Sequence, residues 1–569
     1  MHNGSHAPRP ITAGVVPPHS PISLPHAVPN GFAVVAAGLF FVIFIFNSTT
    51  PKAKVVGSNI HFLGKLSPIR YLQRRYTAWR FLINGPDLIQ TAYEKAGSKP
   101  FEVLAPDARY VFVTTPEHVK EIDSAEDKLS LYYASRQILQ PQYTMHHFGL
   151  FDRPLEGTGF VRALRVHLTN KIPELLPGMK EMAKNRFAEL QKRNPVINGV
   201  THTPLAKAII KTVCQLEAHA IFGKELAGGE EFLENAVLYI EQLALNAEII
   251  RAFPEWMAPF VGRFVGQFHG AQRFIFHSLM PIVTERCRER EMALSRGEPI
   301  PKHVSPLFHF THHCDRLADG ISSPLQDDCI QWLLDSATSK VQRTPRGVAH
   351  EVMAIWFAAL HPISVTIIYA LEDLCLHPEY LEPIRDEIRT QYADYEATAR
   401  GLPLLDSFIK ESARLSPVES QSCRRRAIAP FTLSDGTKLS VGDWACTPVT
   451  SMMQDAKWYP SPLQFSGFRF APPELVESIG VEKLDAAPRQ ESPSKLVEGD
   501  NTFYVWGAEG KQGCPGRYYA QALAKVIISH LVEEYDIKLV DPNAPRWWTW
   551  RTTRVPSEGT MAIFTPRQG

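Results

Sequence analysis

The chain of 569 residues has no excess of charge: 60 Lys and Arg stand against 59 Asp and Glu, a formal net charge of +1. No overall field therefore draws it toward nucleic acid. It has few cysteines, eight in all, and they are scattered (214, 287, 314, 329, 375, 423, 446 and 514). Lacking the close, even spacing of a secreted disulfide scaffold, they favour a reducing compartment. There is no repeat of fixed period, no long flexible linker and no compositional break after residue 50. With 44% hydrophobic and 10% aromatic residues, general disorder is excluded and one large core is expected.

Long hydrophobic runs are equally scarce, with one exception. Gly31 to Phe46 is uncharged without interruption, about 24 Å as a helix, and reaches spanning length in a thin membrane once Asn47 to Thr50 are added. Residues 1–30 hold only Arg9 and no acid, whereas Lys52, Lys54, Lys65, Arg70, Arg74, Arg75 and Arg80 follow before the first acid, Asp87. That asymmetry keeps the C-terminal side cytoplasmic. The Pro-rich leader lacks the basic start of a cleaved signal peptide. The expected organisation is a lumenal tail (1–30), a single transmembrane anchor (31–50) and one catalytic domain (51–569). Asn3, in an Asn-Gly-Ser sequon, would then carry a lumenal glycan, while Asn47 lies too near the membrane on the wrong side.

Helix-period apolar spacing predicts helices over Leu205 to Ile221, Phe232 to Ile250, Gly270 to Leu294, Asp327 to Ser339, Gly347 to Leu376 and Leu402 to Leu415. Short strand signals flank them at Arg109 to Thr115 and Phe431 to Ser440, the latter with an Asp435-Gly436 hairpin turn. The fold class is mainly α with small β-sheets.

Chemistry concentrates in "VWGAEGKQGCPGRYYAQALAKVI", Val505 to Ile527. Glycines at 507, 510, 513 and 516 allow close approach to something large and flat, and Pro515 starts a helix. Cys514 thus sits at a helix N-terminus, where N–H groups and the dipole favour a thiolate of lowered pKa. One thiolate without a CxxC or nearby His cannot build a zinc or iron–sulfur site; it suits haem iron, against the plain alternative of a structural thiol. Glu411 and Arg414 form an i,i+3 pair that gains meaning only from company, since Glu285/Arg288 and Glu382/Arg385 share the spacing.

Together with "SCRRRAIAPFTLSDGTKLS", "WYPSPLQFSGFRF", "LHPEYLEPIRDEI" and "WRFLINGPDLIQTAYEKAGSKPFEV", in this order, these motifs make the chain resemble the cytochrome P-450 family, specifically its membrane-anchored fungal members. The resemblance implies the P-450 fold, a haem b with Cys514 as axial ligand to iron, and a buried network of Glu411, Arg414 and Arg469 beneath it. It places Trp506, Gly510 and Gln512 in the haem loop, with two departures: Trp506 stands one position early, and Gln512 replaces the basic residue that meets a propionate. Arg425 and Arg165 match the family's other propionate-binding arginines.

A third departure lies in the long central helix, where "ALHPIS" (Ala359 to Ser364) replaces an acid or His followed by Thr. Pro362 removes the hydroxyl that positions water for dioxygen cleavage and frees the Ala358 carbonyl. His361 and Ser364 are the candidates for proton delivery. The implied function is an NADPH- and reductase-dependent monooxygenase of the endoplasmic reticulum membrane, acting on a lipophilic small molecule such as a terpenoid or polyketide. Redox-neutral, dehydrative or peroxide-driven turnover is the alternative that Pro362 raises, and a non-catalytic haem protein is the third. The aromatic-rich residues 232 to 280 read mainly as core beside a lipophilic entry route, and His309, His312, His313 and Cys314 as a polar connection rather than a zinc site.

Overall fold

A computed structural model of the chain describes residues 68–149, 159–197, 199–297, 328–337, 341–480, 493–499, 502–508, 510 and 512–567. The anchor, Asn3, Asn47 and the His309 to Cys314 cluster lie outside the described residues. Among the described residues, no group of His, Cys, Asp and Glu is arranged to hold a metal ion.

The helices that position the site are α1 (Pro68–Ala96), α2 (Pro116–Ser124), α3 (Leu131–Leu139), α4 (Thr169–Lys192), α5 (Leu205–Phe222), α6 (Glu230–Ala252), α7 (Ala258–Gly266), α8 (Gly270–Arg296), α9 (Pro345–Leu376), α10 (Leu381–Thr398), α11 (Pro403–Leu415) and α12 (Arg517–Glu534). The apolar spacing located α5, α6, α8, α9 and α11 to within two residues at each end, the usual scatter of helix boundaries. Two limits moved. The helix expected over 327–339 spans only Cys329–Ser336, capped by the Asp328 carboxylate on the Gln331 N–H. The helix after Cys514 begins at Arg517 rather than Pro515, which remains in the turn before it.

A five-stranded sheet runs in the order β1 (Phe101–Leu104), β2 (Arg109–Phe112), β9 (Trp444–Thr447), β6 (Ser422–Ala427), β3 (Leu129–Ser130). Only β2 and β9 pair in parallel, with Tyr110 opposite Trp444. A second sheet orders β10 (Tyr535–Leu539), β13 (Met561–Pro566), β5 (Val200–Pro204) and β4 (Val196–Ile197). The expected hairpin is β7 (Phe431–Thr432) with β8 (Lys438–Leu439), and Gly436 takes the positive φ of +87° that its turn requires. β11 (Trp547–Trp550) and β12 (Thr553–Pro556) form the other hairpin.

Helix α9 is the axis of the fold, packed against α5, α8, α11 and α12. Among the described residues it is the one helix long and apolar enough to cross a membrane. Its burial marks it instead as a core helix: Val348, Val352, Trp356, Leu360, Ile367 and Leu371 are sealed on several sides, and the Trp356 indole donates to the Ala236 carbonyl at 2.9 Å.

Beneath the end of α6, four charges meet, the two arginines buried and the two carboxylates half-buried. Arg251 reaches Asp107 at 2.7 Å, and Arg551 reaches Asp107 at 2.9 Å and Glu248 at 2.6 Å. Burial alone would raise the Asp107 pKa, but the two guanidiniums outweigh it and hold the carboxyl well below the usual range. Arg551 itself adopts φ +53°, and a Cβ on Gly85 would lie 1.9 Å from its carbonyl oxygen, so only glycine fits there.

One buried carboxyl has no such company. Glu217 on α5 is 2% exposed and its Oε2 has no partner, and burial pushes its pKa up to about 8. The folded state therefore binds a proton that the unfolded chain releases near its ordinary carboxylate pKa. That stabilisation is complete below the ordinary range and is lost as pH rises through about 8. Thermal melts across this window should show Glu217→Gln gaining on the wild type as pH rises; parallel curves would mean the carboxyl is not held protonated.

Candidate haem-thiolate site

The loop before α12 is closed on itself. The Cys514 N–H donates to the Trp506 carbonyl at 2.8 Å, the Gly507 N–H to Tyr504, and the Trp506 indole to the Leu496 carbonyl at 2.7 Å. Gly507 has φ +79°, and a Cβ on Gly513 would stand 2.4 Å from the Ala508 carbonyl oxygen, so the glycines are set by backbone packing. Cys514 is a free, half-buried thiol at the head of α12. Its pKa differs from the sequence expectation. Burial pushes the thiol up, and the opposing influences follow behind: the N–H of Gly516, the charges of Arg517 and Arg165, and the N–H of Arg517. The helix head favours a thiolate here without overcoming desolvation.

Three expected residues converge on this loop. Arg165 donates to the Gly513 carbonyl at 2.8 Å. It projects from a π-helical segment, Ala163–Leu168, that interrupts the helix leading into α4 and that the sequence did not announce. Arg425, 2% exposed on β6, ion-pairs with Asp123 from α2, and its Nε is buried without a partner. The same Asp123 carboxylate lies 2.5 Å from where a Cβ on Gly510 would be, so Gly510 gives it room. Gln512 has both amide atoms buried and unpartnered.

Glu411, Arg414 and Arg469 are together as expected, each with no exposure. Arg414 Nε and Nη2 donate to Glu411 at 2.7 and 2.8 Å, and Arg469 Nε lies 3.1 Å from both carboxylate oxygens. Arg414 also reaches the Met453 and Pro462 carbonyls, and Arg469 the Pro460 carbonyl. The two other pairs of equal spacing have different fates: Glu285 and Arg288 meet on an exposed face, while Glu382 is open to solvent beside a buried Arg385.

On α9 an open stripe interrupts the burial. Ala358 and Pro362 are exposed, and Ala354, Phe357, His361 and Thr366 are half-buried, at helix spacing amid sealed neighbours. The helix runs through Pro362 unbroken, and lacking that N–H it leaves the Ala358 carbonyl without its helical donor. His361 lies on the stripe, its Nδ1 buried and unpartnered. Burial lowers its pKa, so the ring is more firmly neutral than a free imidazole. Ser364 does not reach the stripe: it is fully buried and donates to the Leu360 carbonyl at 2.7 Å. The hydroxyl on the open face is Thr366, which donates to the Pro362 carbonyl at 2.9 Å. Its position four residues beyond Pro362, hence on the same face, was the signal in the sequence that would have found it.

The family profile described as Cytochrome P450 matches residues 84–548. Cytochrome P450 monooxygenase AN1598 of Emericella nidulans is 26% identical over 455 residues, spanning 79% of this chain and 77% of that protein. Ent-kaurene oxidase of Gibberella intermedia is 26% identical over 506 residues, spanning 87% and 84%. The solved structure of a retinoic acid-bound cyanobacterial CYP120A1 superposes with a TM-score of 0.60 at 14% identity, covering 86% of this chain and 96% of that one, a likeness of fold. With the profile running through most of the chain and both relatives matched over more than three-quarters of their length, this protein belongs to the cytochrome P450 family and is a haem-type monooxygenase.

Proposed function

We propose that the chain inserts an oxygen atom from dioxygen into a lipophilic small molecule, of terpenoid or polyketide type, at a haem held by Cys514. The carrying observation is the free Cys514 thiol at the head of α12, in a loop held tight at Gly507 and Gly513. The donor set around it fits a group that carries carboxylates: Arg425 Nε and the Gln512 amide are buried polar atoms awaiting partners, and Arg165 stands against the loop. When bound, the haem supplies dioxygen activation, with the thiolate donating electron density to favour O–O cleavage.

The protein's own residues do the rest. Arg165, Arg425 and Gln512 seat the propionates, with Gln512 contributing an amide where the family has a cation. Trp506 and Gly510 shape the loop. Ala354, Phe357, Ala358 and Pro362 give the open stripe an apolar wall for the substrate. The Thr366 hydroxyl and the free Ala358 carbonyl hold water beside it, and neutral His361 exchanges protons through that water. The electrons come from NADPH through a reductase, and residues 31–50 anchor the chain in the endoplasmic reticulum membrane with the catalytic part cytoplasmic. The name of the ent-kaurene oxidase relative supports the terpenoid choice.

Pro362, open and without a hydroxyl, favours one second reading: redox-neutral, dehydrative or peroxide-driven turnover. Incubation with labelled dioxygen, NADPH, a fungal reductase and a terpenoid panel separates the two. Label in a hydroxylated product only when NADPH is present supports the monooxygenase; turnover that needs peroxide alone, or no oxidant, establishes the second.

A further inference from the structure

Beside Glu411 on α11 stand two further buried charges. Asp406 and Lys410 are one turn apart, hence on one side of the helix, and are 3% and 0% exposed.

Both reach the same short segment. The Lys410 ammonium donates to the Ser494 hydroxyl at 2.8 Å and to the Lys495 and Glu498 carbonyls at 3.0 and 3.1 Å. It also stands over the rings of Phe470 and Phe503, 4.8 and 4.6 Å from their centroids. Lys495 and Glu498 are the two ends of a turn, closed by the Glu498 N–H on the Lys495 carbonyl at 3.0 Å. Asp406 accepts the Leu496 N–H from within that turn at 2.7 Å, and is itself fixed from α12 by Lys525 at 2.7 Å and by the Gln521 amide. Residues 494–498 have no helix or strand of their own, so these side chains supply the partners that regular structure would otherwise give the backbone.

The turn is where Trp506 docks. The buried Leu496 uses its N–H on Asp406 and its carbonyl on the Trp506 indole, at 2.7 Å, and the Trp506 carbonyl accepts the Cys514 N–H at 2.8 Å. A line of contacts therefore runs from α11 through Leu496 and Trp506 to the backbone of Cys514. Trp506 departs by one position from the family spacing, and in that place its indole N–H, a donor that phenylalanine lacks, closes the line.

We propose that Lys410 and Asp406 are positioning residues for the haem ligand: acting through Leu496 and Trp506, they set where the Cys514 backbone, and with it the sulfur, stands against the iron. The inference deepens the haem-thiolate reading above and rests on it. Their part is geometric, since partners beyond the ligand itself decide how well a ligand is aimed.

The test compares three variants of the full chain: Lys410→Met, which keeps the stem among the rings and removes the donors; Trp506→Phe, which keeps a ring and removes the indole N–H; and the two together. In the reduced protein under carbon monoxide, the ratio of the red-shifted thiolate band to the unshifted band should fall about tenfold in Lys410→Met and about fivefold in Trp506→Phe, with the far-UV circular dichroism of the folded chain retained. The double variant should match Lys410→Met, because both changes cut one line of contacts, whereas independent structural roles would multiply. Exchange of the Cys514 amide, followed in the chain as purified, should quicken in both single variants. A wild-type band ratio in either single variant, losses that multiply in the double variant, or unchanged exchange at Cys514 would each overturn the proposal. Failure of the haem reading is a separate result: the wild type would then give no thiolate band, yet the Cys514 amide would still exchange faster in both variants.

Discussion

Replacing Glu411 with alanine is expected to cost roughly 3–5 kcal/mol, a large part of the ~5–15 kcal/mol that keeps a typical domain folded. The carboxylate is the shared acceptor of two guanidiniums that have no exposure to water, and it also takes the Ser466 N–H at 3.0 Å. Without it, Arg414 and Arg469 remain as like charges in a sealed space, where the carbonyls they also reach cannot neutralise them. Glu411→Gln, which keeps the shape and one acceptor, should fall between alanine and wild type. Glu285→Ala, at identical spacing but on an exposed face, should leave the melting temperature where it was. Thermal unfolding of the three variants decides the matter; a Glu411→Ala protein melting with the wild type would show that the network contributes nothing to the fold.

The second large effect is spectroscopic. Cys514→Ala should fold, because the loop is held by the Cys514 N–H, the Trp506 indole and the glycines rather than by sulfur. It should nevertheless lose the red-shifted Soret band that a thiolate-ligated haem gives when reduced under carbon monoxide. Haem content would fall with it, as the proposed ligation of the iron by this thiolate requires. Cys423→Ala and Cys446→Ala are the controls: both thiols are buried and driven upward by burial, and removing them should leave the band intact. Retention of the band in Cys514→Ala would return that cysteine to a structural role.

How far the sequence could be read depended on the range of the interaction. Helices α5, α6, α8, α9 and α11 follow from apolar period alone, because each buries a stripe whose spacing is local. The burial of Glu411 and Arg414 could not be read from their spacing, since Glu285 and Arg288 have the same one. What separates them is Arg469 arriving from 55 residues downstream of Arg414, together with the carbonyls of the intervening loop. The pairing of Arg425 with Asp123 spans 302 positions and was invisible for the same reason. Ser364 is a case of a different kind: it stands close to Pro362 in sequence but on another side of the helix, while Thr366, a full turn on, shares the open stripe. The raised Cys514 pKa shows that a helix head is a local favour and desolvation a property of the whole surrounding.

The closing of the fold by its last strand bears on how the protein is made. Strand β13 lies between β10 and β5, and Arg551 sits between Asp107 and Glu248, so residues 551–566 complete structures begun hundreds of residues earlier. Without Met561–Pro566, β5 and β10 each offer an unpaired edge, and without Arg551 as well, Asp107 and Glu248 share, among the described residues, Arg251 alone. A chain cut after residue 550 spares every residue of the Cys514 loop, yet is expected to keep both edges open and to aggregate.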